Sequence, residues 1–269
     1  MTQEDGFIIY KNPRRRRKPK GFNKISCVSL YEQNGDFEDE EIVKKVNQCL
    51  EILKEHSFMD QFKKTFNRFS ELKSVNQLTS IVCYGLGNIS QCIMSRYQFA
   101  LLIMLTEITH CQNVDLYDPA FTQQEKTILT DYFKLNLIDK NEECKRTLCS
   151  DETVLFYMPH CDKSLYNNVL WSNWHLDKLN NVIILGNSFT NMINSILSKQ
   201  TLKLFNYIYN SVDTFSNSFI ELLVVNNFDH KEVFNDLAFQ TFDVQKIQTQ
   251  IDIFQKVYSS DEPKYDEET

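Results

Sequence analysis

Short apolar runs, each stopped within two residues by a glycine or a proline, are the feature of this sequence that most limits its fold. The clearest runs span residues 81–84, 114–117, 153–158 and 182–185, and helical patterns separate them. Short buried runs that alternate with helices are typical of βαβ units, whose right-handed crossovers place helices over a parallel sheet. The sequence therefore predicts an α/β fold, Rossmann-like, with a mostly parallel sheet and helices on both faces.

Helical spacing of apolar residues predicts an N-terminal helical segment before this sheet, with one helix over residues 39–56 and a second from Phe58. Aromatic residues at this spacing favour core packing over a ligand site. The other predicted elements are a short strand at 135–138, a helix over 202–212, a strand at 219–225 and a docking helix over 244–258.

The same patterns predict how the chain is divided. The expected segments are a disordered basic arm at 1–35, N-terminal helices that pack on the core at 36–75, an α/β domain at 76–258 and an acidic tail at 259–269.

Composition limits where such a chain works. With 42% apolar and 13% aromatic residues, the chain can form a packed core. Its longest apolar stretch, at 99–108, is too short to span a bilayer and contains Glu107. No apolar secretory segment follows the first residues. We therefore expect no membrane insertion and a location in the cytoplasm, with the nucleus as the alternative.

The eight cysteines contain no Cys-x-x-Cys pair, and Cys49, Cys83 and Cys92 lie inside apolar segments. In a reducing compartment such cysteines are buried thiols, so neither disulfides nor a structural metal site is expected.

Charge is unevenly distributed along the chain. Residues 1–20 contain seven Lys or Arg and two acidic residues, whereas the whole chain has a net charge of −7. An acidic body makes nucleic-acid binding unexpected except through the arm. The basic run at 13–20 is interpreted as a nuclear-import or phosphate-binding segment, or alternatively as a solvated tail.

Five glycine and proline residues coincide with the carboxyl ends of predicted strands, where open α/β sheets bind ligands. The simpler interpretation is that these residues only terminate strands. Polar residues beside them, however, would meet on one rim of the sheet. The predicted ligand-binding residues of this rim are Gly85, Gly87, Asn88, Ser90, Asp118, His160, Cys161, Asn187 and Ser188.

Two parts of this rim suggest specific chemistry. The Gly85-x-Gly87 turn before a helix can cradle an anion through backbone N–H groups, and Asp115 or Asp118 can hold a ribose hydroxyl. The dinucleotide fingerprint is incomplete because Ser90 replaces its third glycine, which leaves a nicotinamide or S-adenosylmethionine-like ligand as alternatives.

His160 and the adjacent Cys161 are candidates for an acid, a base or a nucleophile, or for structural roles. The sequence contains no Walker motif and no nucleophile elbow.

The same segments resemble the sensitivity-to-red-light-reduced (SRR-like) family. The likeness runs in order over about residues 80–190 and adds Arg96 to the candidate ligand-binding residues. A later block, FNDLAFQ (234–240), matches the family only in part, because Leu237, Ala238 and Gln240 replace hydroxyl and imidazole side chains. The matching blocks are VCYGLGN (82–88), SRYQFALL (95–102), YDPAFT (117–122) with Glu125, FYMPHC (156–161), LYNN (165–168), NW (173–174) and LGNSF (185–189).

The resemblance implies a regulatory role in circadian-clock input and in control of haem biosynthesis, and it implies no catalytic residue or cofactor. Three hypotheses remain open. The chain is a regulator that binds a small ligand or a protein partner at the rim, an enzyme such as a transferase that uses His160 or Asp118, or an interaction scaffold with an inert core.

Overall fold

The computed structural model of the chain describes residues 3–4, 7–8, 37–73 and 77–265. The basic run at 13–20 lies outside these residues. The elements are, in chain order, β1 (Gln3–Glu4), β2 (Phe7–Ile8), α1 (Asp39–Glu55), α2 (Phe58–Lys73), β3 (Ser80–Tyr84), α3 (Ile93–Thr109), β4 (Val114–Tyr117), α4 (Gln123–Thr127), a π-helical turn (Ile128–Tyr132), β5 (Asn136–Leu137), β6 (Val154–Met158), α5 (Lys163–Ser172), α6 (Leu176–Leu179), β7 (Val182–Asn187), α7 (Phe189–Asn194), α8 (Lys199–Leu204), α9 (Asn206–Val212), β8 (Phe219–Leu223), β9 (Leu237–Phe242), α10 (Val244–Gln248) and α11 (Ile251–Val257).

Seven of the strands form one sheet, in the order β5-β4-β3-β6-β7-β9-β8. Strands β3 to β7 pair in parallel, whereas β9 runs antiparallel to both β7 and β8. The chain adds β4 and β5 on one side of β3 and then returns to add β6 on the other side. The boundary between β3 and β6 is therefore the topological switch point, where sheets of this kind bind ligands.

Successive side chains of a strand point to opposite faces of the sheet, and both faces of the central strands are buried. On β3, Ile81 and Cys83 enter the core that contains α1, α2 and α3, whereas Val82 and Tyr84 enter the core that contains α5 and α9. The helices therefore cover both faces, as predicted. The α/β class, the mostly parallel sheet and the preceding helices are confirmed.

The N-terminal helices share the first of these two cores with the sheet. Helix α1 packs on α3. Helix α2 places Phe62, Phe66 and Phe69 around Phe239 of β9, with ring centroids 5.2–5.7 Å apart. The regular spacing of phenylalanine along α2 thus serves packing.

Strand β9 was not predicted, because its sequence includes Gln240 and Thr241, which resemble surface residues. Both are buried, with 1% exposure each. The Thr241 hydroxyl donates to the Val182 carbonyl at 2.8 Å. Burial of a polar group is tolerated when it is hydrogen-bonded, and single-sequence periodicity does not reveal that bond.

The two C-terminal helices that the sequence predicted as continuous are each broken. The helix over 202–212 divides at Phe205, whose φ of −104° and ψ of 47° are not helical. The helix over 244–258 divides near Gln250, with φ −125° and ψ 30°. The two pieces of the second helix pack in the same core through Ile247 and Phe254, whereas α8 has no buried residue and contributes only the half-buried Leu204.

No helix among the described residues is long and apolar enough to cross a membrane. Within the same residues, no group of three or more His, Cys, Asp or Glu side chains is arranged to hold a metal ion. Every cysteine in the described part of the chain is a free thiol, and Cys149 is the exposed one.

Phe239 gives a direct test of the packing between α2 and the antiparallel end of the sheet. We expect Phe239→Ala to lower the free energy of unfolding by about 3–5 kcal/mol, because it leaves a cavity among three phenylalanine rings. Leu197, which is 98% exposed, provides the control, and Leu197→Ala should change stability by less than about 0.5 kcal/mol. Urea denaturation measures both values. Equal effects of the two variants would contradict this arrangement of the core.

Candidate functional site

The predicted rim residues lie where β3, β4, β6 and β7 end. Because these strands are parallel and adjacent, the loops that follow them leave the same edge of the sheet. The loop after β3 and the loop after β6 flank the switch point. Hydrogen bonds divide the rim into one group at β3 and β4 and a second group at β6 and β7.

The loop after β3 has a left-handed backbone at both glycines, with φ of +73° at Gly85 and +79° at Gly87. The N–H group of Gly87 donates to Asp118 Oδ2 at 2.7 Å. The other oxygen, Oδ1, accepts from Ala120 N–H at 2.7 Å. A carboxylate of the chain itself therefore occupies the position at Gly87 that an anion would take in a glycine-rich cradle.

A second carboxylate fixes the next part of this loop. Glu125 is fully buried, and its Oε1 accepts from Ser90 N–H at 2.8 Å. Its Oε2 accepts from Thr122 N–H, which completes a capping box at the start of α4. Asn88 Oδ1 accepts from the Ser90 hydroxyl and from Gln91 N–H, both at 2.8 Å. The polar side chains of Asn88 and Ser90 thus stabilise the turn that contains them.

Arg96 supports the same loop from α3. It is 2% exposed, and its guanidinium donates to the carbonyl of Ser90 at 3.0 Å and to that of Ile89 at 3.3 Å. Carboxylates thus bind the N–H groups of this loop, and a guanidinium binds its carbonyl groups. The structure brings Gly87, Asn88, Ser90 and Asp118 together at this edge of the sheet and adds Arg96, a candidate from the family resemblance.

Burial raises the pKa of Asp118 above its ordinary value, against the two backbone N–H groups that lower it. Asp115, the alternative ribose-binding residue, lies within β4 and forms an ion pair with Arg146 at 2.6 Å. Of the two aspartates, Asp118 is therefore the one at the strand end beside the glycine turn.

The loop after β6 sends its two candidate side chains in different directions. His160 is exposed and has a left-handed backbone, with φ 57°. Its Nε2 lies 3.1 Å from the Val233 carbonyl, which can only accept, so this nitrogen carries the proton. The Cys161 thiol donates to the Tyr84 carbonyl at 3.3 Å, across the switch point. Burial raises the pKa of this thiol well above its ordinary value, although the residue as a whole retains some exposure.

Asn187 and Ser188, at the end of β7, also have partners within the chain. Asn187 Oδ1 accepts from His160 N–H at 2.7 Å and from the Tyr166 hydroxyl at 3.1 Å. Ser188 is buried, and its hydroxyl oxygen accepts from Asn191 N–H at 3.1 Å, which caps α7. Gly186 permits this arrangement, because a Cβ there would lie 2.6 Å from the Tyr166 ring. This second group therefore unites His160, Asn187 and Ser188.

The predicted site omitted three polar residues that hold the rim in place. Glu125 had a signal, since it stands three residues after Thr122 in a capping-box pattern. Glu221 Oε1 and Gln240 Oε1 both accept from Phe189 N–H, at 2.7 and 3.1 Å. These two come from β8 and β9, and they reach the rim only because β9 pairs with β7 and β8 pairs with β9.

A sequence profile of the SRR1 domain matches residues 37–241. The match begins before α1 and ends within β9, so it covers most of the chain and both halves of the rim. The chain belongs to the SRR1 domain family. Membership supports a regulatory role and confirms the resemblance found in the sequence.

Three curated relatives of the SRR1 family align with this chain. The SRR1-like protein of Mus musculus is 41% identical over 132 residues, which are 47% of this chain and 51% of the relative. The SRR1-like protein of Drosophila melanogaster is 30% identical over 168 residues, or 61% and 55%. Protein SENSITIVITY TO RED LIGHT REDUCED 1 of Arabidopsis thaliana is 32% identical over 120 residues, or 44% and 42%. The chain spans about half the length of the curated relatives it matches.

Two solved structures have a similar chain path at 10% identity. Human N-acetylserotonin methyltransferase, in complex with SAM, has a TM-score of 0.37 and aligns with 77% of this chain and 56% of its own. A putative caffeoyl-CoA O-methyltransferase from Staphylococcus aureus has a TM-score of 0.35, with coverage of 76% and 98%. At these scores neither structure bears on the ligand of the SRR1 domain.

The glycine turn of this SRR1 domain gives a prediction about stability. In Gly87→Ala the new Cβ would lie 2.7 Å from Ser95 Oγ, at a φ of +79°. We expect the left-handed backbone to cost about 1–2 kcal/mol, and the contact with Ser95 to add to that cost. Thermal and urea unfolding measure the loss.

The double variant Gly87→Ala/Ser95→Ala separates the two causes of this loss. The double variant should recover only the part of the stability loss that comes from the contact with Ser95. Ser95→Ala by itself is the control. An unchanged stability of Gly87→Ala would show that neither the backbone conformation nor the contact is as described.

Asp118 gives a prediction about pH. Its raised pKa means that ionisation costs stability, so the wild-type chain should lose stability as pH rises from the ordinary value of 3.8 through the raised pKa. Asp118→Asn should lack this dependence and should be less stable by about 1–3 kcal/mol at low pH, because its amide can accept from only one of the two N–H groups.

Urea unfolding of both proteins at several pH values above 4 measures the difference. If the wild type instead gains stability over Asp118→Asn as pH rises, the two N–H bonds outweigh burial and the pKa is lowered.

Proposed function

We propose that this chain is a regulatory protein that binds a small ligand at the rim where the parallel strands end. The observation that carries the proposal is the switch point between β3 and β6, flanked by the loops that contain Gly87 and His160. Both positions have left-handed backbone, which turns each loop sharply and which Gly87 adopts without the strain that a side chain brings. A site held in shape before binding loses less conformational entropy when a ligand enters.

The chemistry of the rim favours a ligand that offers hydroxyl groups over one that offers a phosphate. Asp118 already accepts the hydrogen bond of the Gly87 N–H group, and its negative charge would repel a second anion there. A carboxylate accepts about four hydrogen bonds, and two of these come from Gly87 and Ala120. The remaining positions suit donors such as the hydroxyls of a nucleoside. Across the switch point, His160 Nε2 is already paired with the Val233 carbonyl, and Nδ1 is the ring nitrogen left for a ligand.

An enzyme with a nucleotide or S-adenosylmethionine-type ligand is the second candidate, since such a ligand carries a nucleoside. The chemistry of the loop after β6 weighs against covalent catalysis, because a buried thiol with a raised pKa is a poor nucleophile. His160 is then the remaining acid or base at the rim. The third candidate, an inert scaffold, would need none of these groups.

The biological setting is also part of the proposal. The family resemblance supports a role in circadian-clock input and in regulation of haem biosynthesis, and the name of the Arabidopsis relative refers to sensitivity to red light. We propose that the chain acts in the cytoplasm and, through the basic run at 13–20, also in the nucleus.

Mass spectrometry of small molecules released from the purified native chain gives the first test. Calorimetric titration of adenosine, S-adenosylmethionine and inorganic phosphate, each into the wild-type chain, gives the second. We expect nucleoside-type ligands to bind and phosphate alone not to bind. Asp118→Asn, measured at a temperature where it is folded, should weaken the affinity for the nucleoside by about tenfold or more. The substitution removes the charged acceptor of hydrogen bonds from the ligand's hydroxyl groups.

Asp139→Asn is the matched control, since Asp139 is exposed, and it should retain wild-type affinity. In cells that lack the protein, Asp139→Asn should restore rhythm and haem content and Asp118→Asn should not, at equal abundance. Full restoration by Asp118→Asn together with the absence of any bound nucleoside would reject the rim as the functional site.

A further inference from the structure

We propose that a groove between α1 and the π-helical turn binds a basic, amphipathic segment of a partner protein. The groove has a volume of about 1020 Å³ and is open to solvent along its length. It lies outside the rim, and none of the predicted ligand-binding residues lines it. Its volume is at the upper limit for small-molecule pockets, and its open form suits a peptide better than an enclosed ligand.

The apolar part of the groove is partly exposed. Val43 of α1 and Ile128 of the π-helical turn line it with 6% and 3% exposure. Ile52 and Tyr132 line it as well, and they remain 51% and 59% exposed. Contiguous exposed apolar surface with a polar border is typical of protein-interaction sites. A partner that covers these side chains with an apolar face would therefore remove apolar surface from water, which favours binding.

The charged part of the groove is strongly acidic. Four carboxylates line it, against the single ammonium group of Lys44; they belong to Asp39, Glu40, Glu51 and Asp131. The first two lie in the first turn of α1, where acidic residues also stabilise the helix dipole. Glu51 of α1 and Asp131 of the π-helical turn stand on the two opposite walls. Charge complementarity therefore favours a segment that carries Lys or Arg between its apolar residues.

The wall opposite α1 has an uncommon backbone. The N–H group of Phe133 donates to the carbonyl of Ile128, five residues earlier, at 3.2 Å. This wider turn lets Phe133 pack against Phe99, with ring centroids 4.9 Å apart, while Tyr132 stays exposed at the groove. Single π turns inside helices occur frequently at functional sites. This observation is independent of charge and points to the same surface.

Fluorescence anisotropy with the full chain and a labelled amphipathic peptide of leucine and lysine tests the proposal. The corresponding peptide of leucine and glutamate is the probe control. We expect the leucine-lysine peptide to bind and the leucine-glutamate peptide not to bind. The charge-reversal variant Glu51→Lys/Asp131→Lys should weaken its binding by about tenfold or more, and Tyr132→Ala should also weaken it.

The matched controls lie on the exposed face of α2. Asp60→Lys/Glu71→Lys changes the net charge by the same amount, and Leu72→Ala removes an apolar side chain that is 55% exposed. Both should leave the affinity within about twofold of the wild type. Equal weakening by the two charge-reversal variants would show only non-specific attraction to an acidic protein and would overturn the proposal.

Two other occupants of the groove are distinguished by the same peptide assay and by sedimentation. If neutralising Arg14, Arg15, Arg16 and Arg17 in the full chain raises the peptide's affinity about tenfold, the chain's own arm is the occupant and the proposal is wrong. If sedimentation shows a dimer that Tyr132→Ala converts to a monomer, the occupant is a second copy, and the proposal is again wrong. Unchanged affinity in the first test and a monomer in the second support a partner segment.

Discussion

Two carboxylates from one βα unit hold the loop of the preceding unit, and the geometry of the rim depends on them. Asp118 and Glu125 follow β4 and accept from the N–H groups of Gly87 and Ser90, which follow β3. Both side chains are buried, so each carboxylate needs these bonds to offset its loss of hydration. Neither loop keeps its shape without the other. Parallel pairing of β3 with β4 makes the contact possible, because it brings both strand ends to one edge.

This mutual dependence changes the interpretation of the polar residues at the rim. Asn88, Ser90, Arg96 and Ser188 all bond within the chain, and they shape the loops that surround the switch point. In the proposed ligand site, specificity rests on the few groups that can form further hydrogen bonds, such as Asp118 and His160. In the proposed function, a rim that has already formed its own bonds recognises a ligand with little rearrangement.

The sequence predicted the parallel strands and the rim because both follow from local patterns, namely short apolar runs and the glycine or proline after each. It did not predict β9, whose buried Gln240 and Thr241 look like surface residues until their partners on β7 are known. It also did not reveal that Asp118 would occupy the Gly87 N–H group, since that contact spans 31 residues. The acidic groove depends on the packing of α1 beside a π turn, and helical periodicity does not reveal such a turn.

Helix α4 connects the rim to the groove through the chain itself. Its capping box positions Glu125 against the loop after β3, and its other end continues into the π turn that carries Tyr132. Coupling between the rim and the groove needs two states of the chain in which a ligand makes different contacts. Through α4, the second state would be one in which this helix moves. Moving it would separate Glu125 from Ser90 and leave a buried carboxylate without that partner, which is costly. The proposed rim site and the proposed groove site therefore bind independently unless a ligand at the rim itself displaces Glu125.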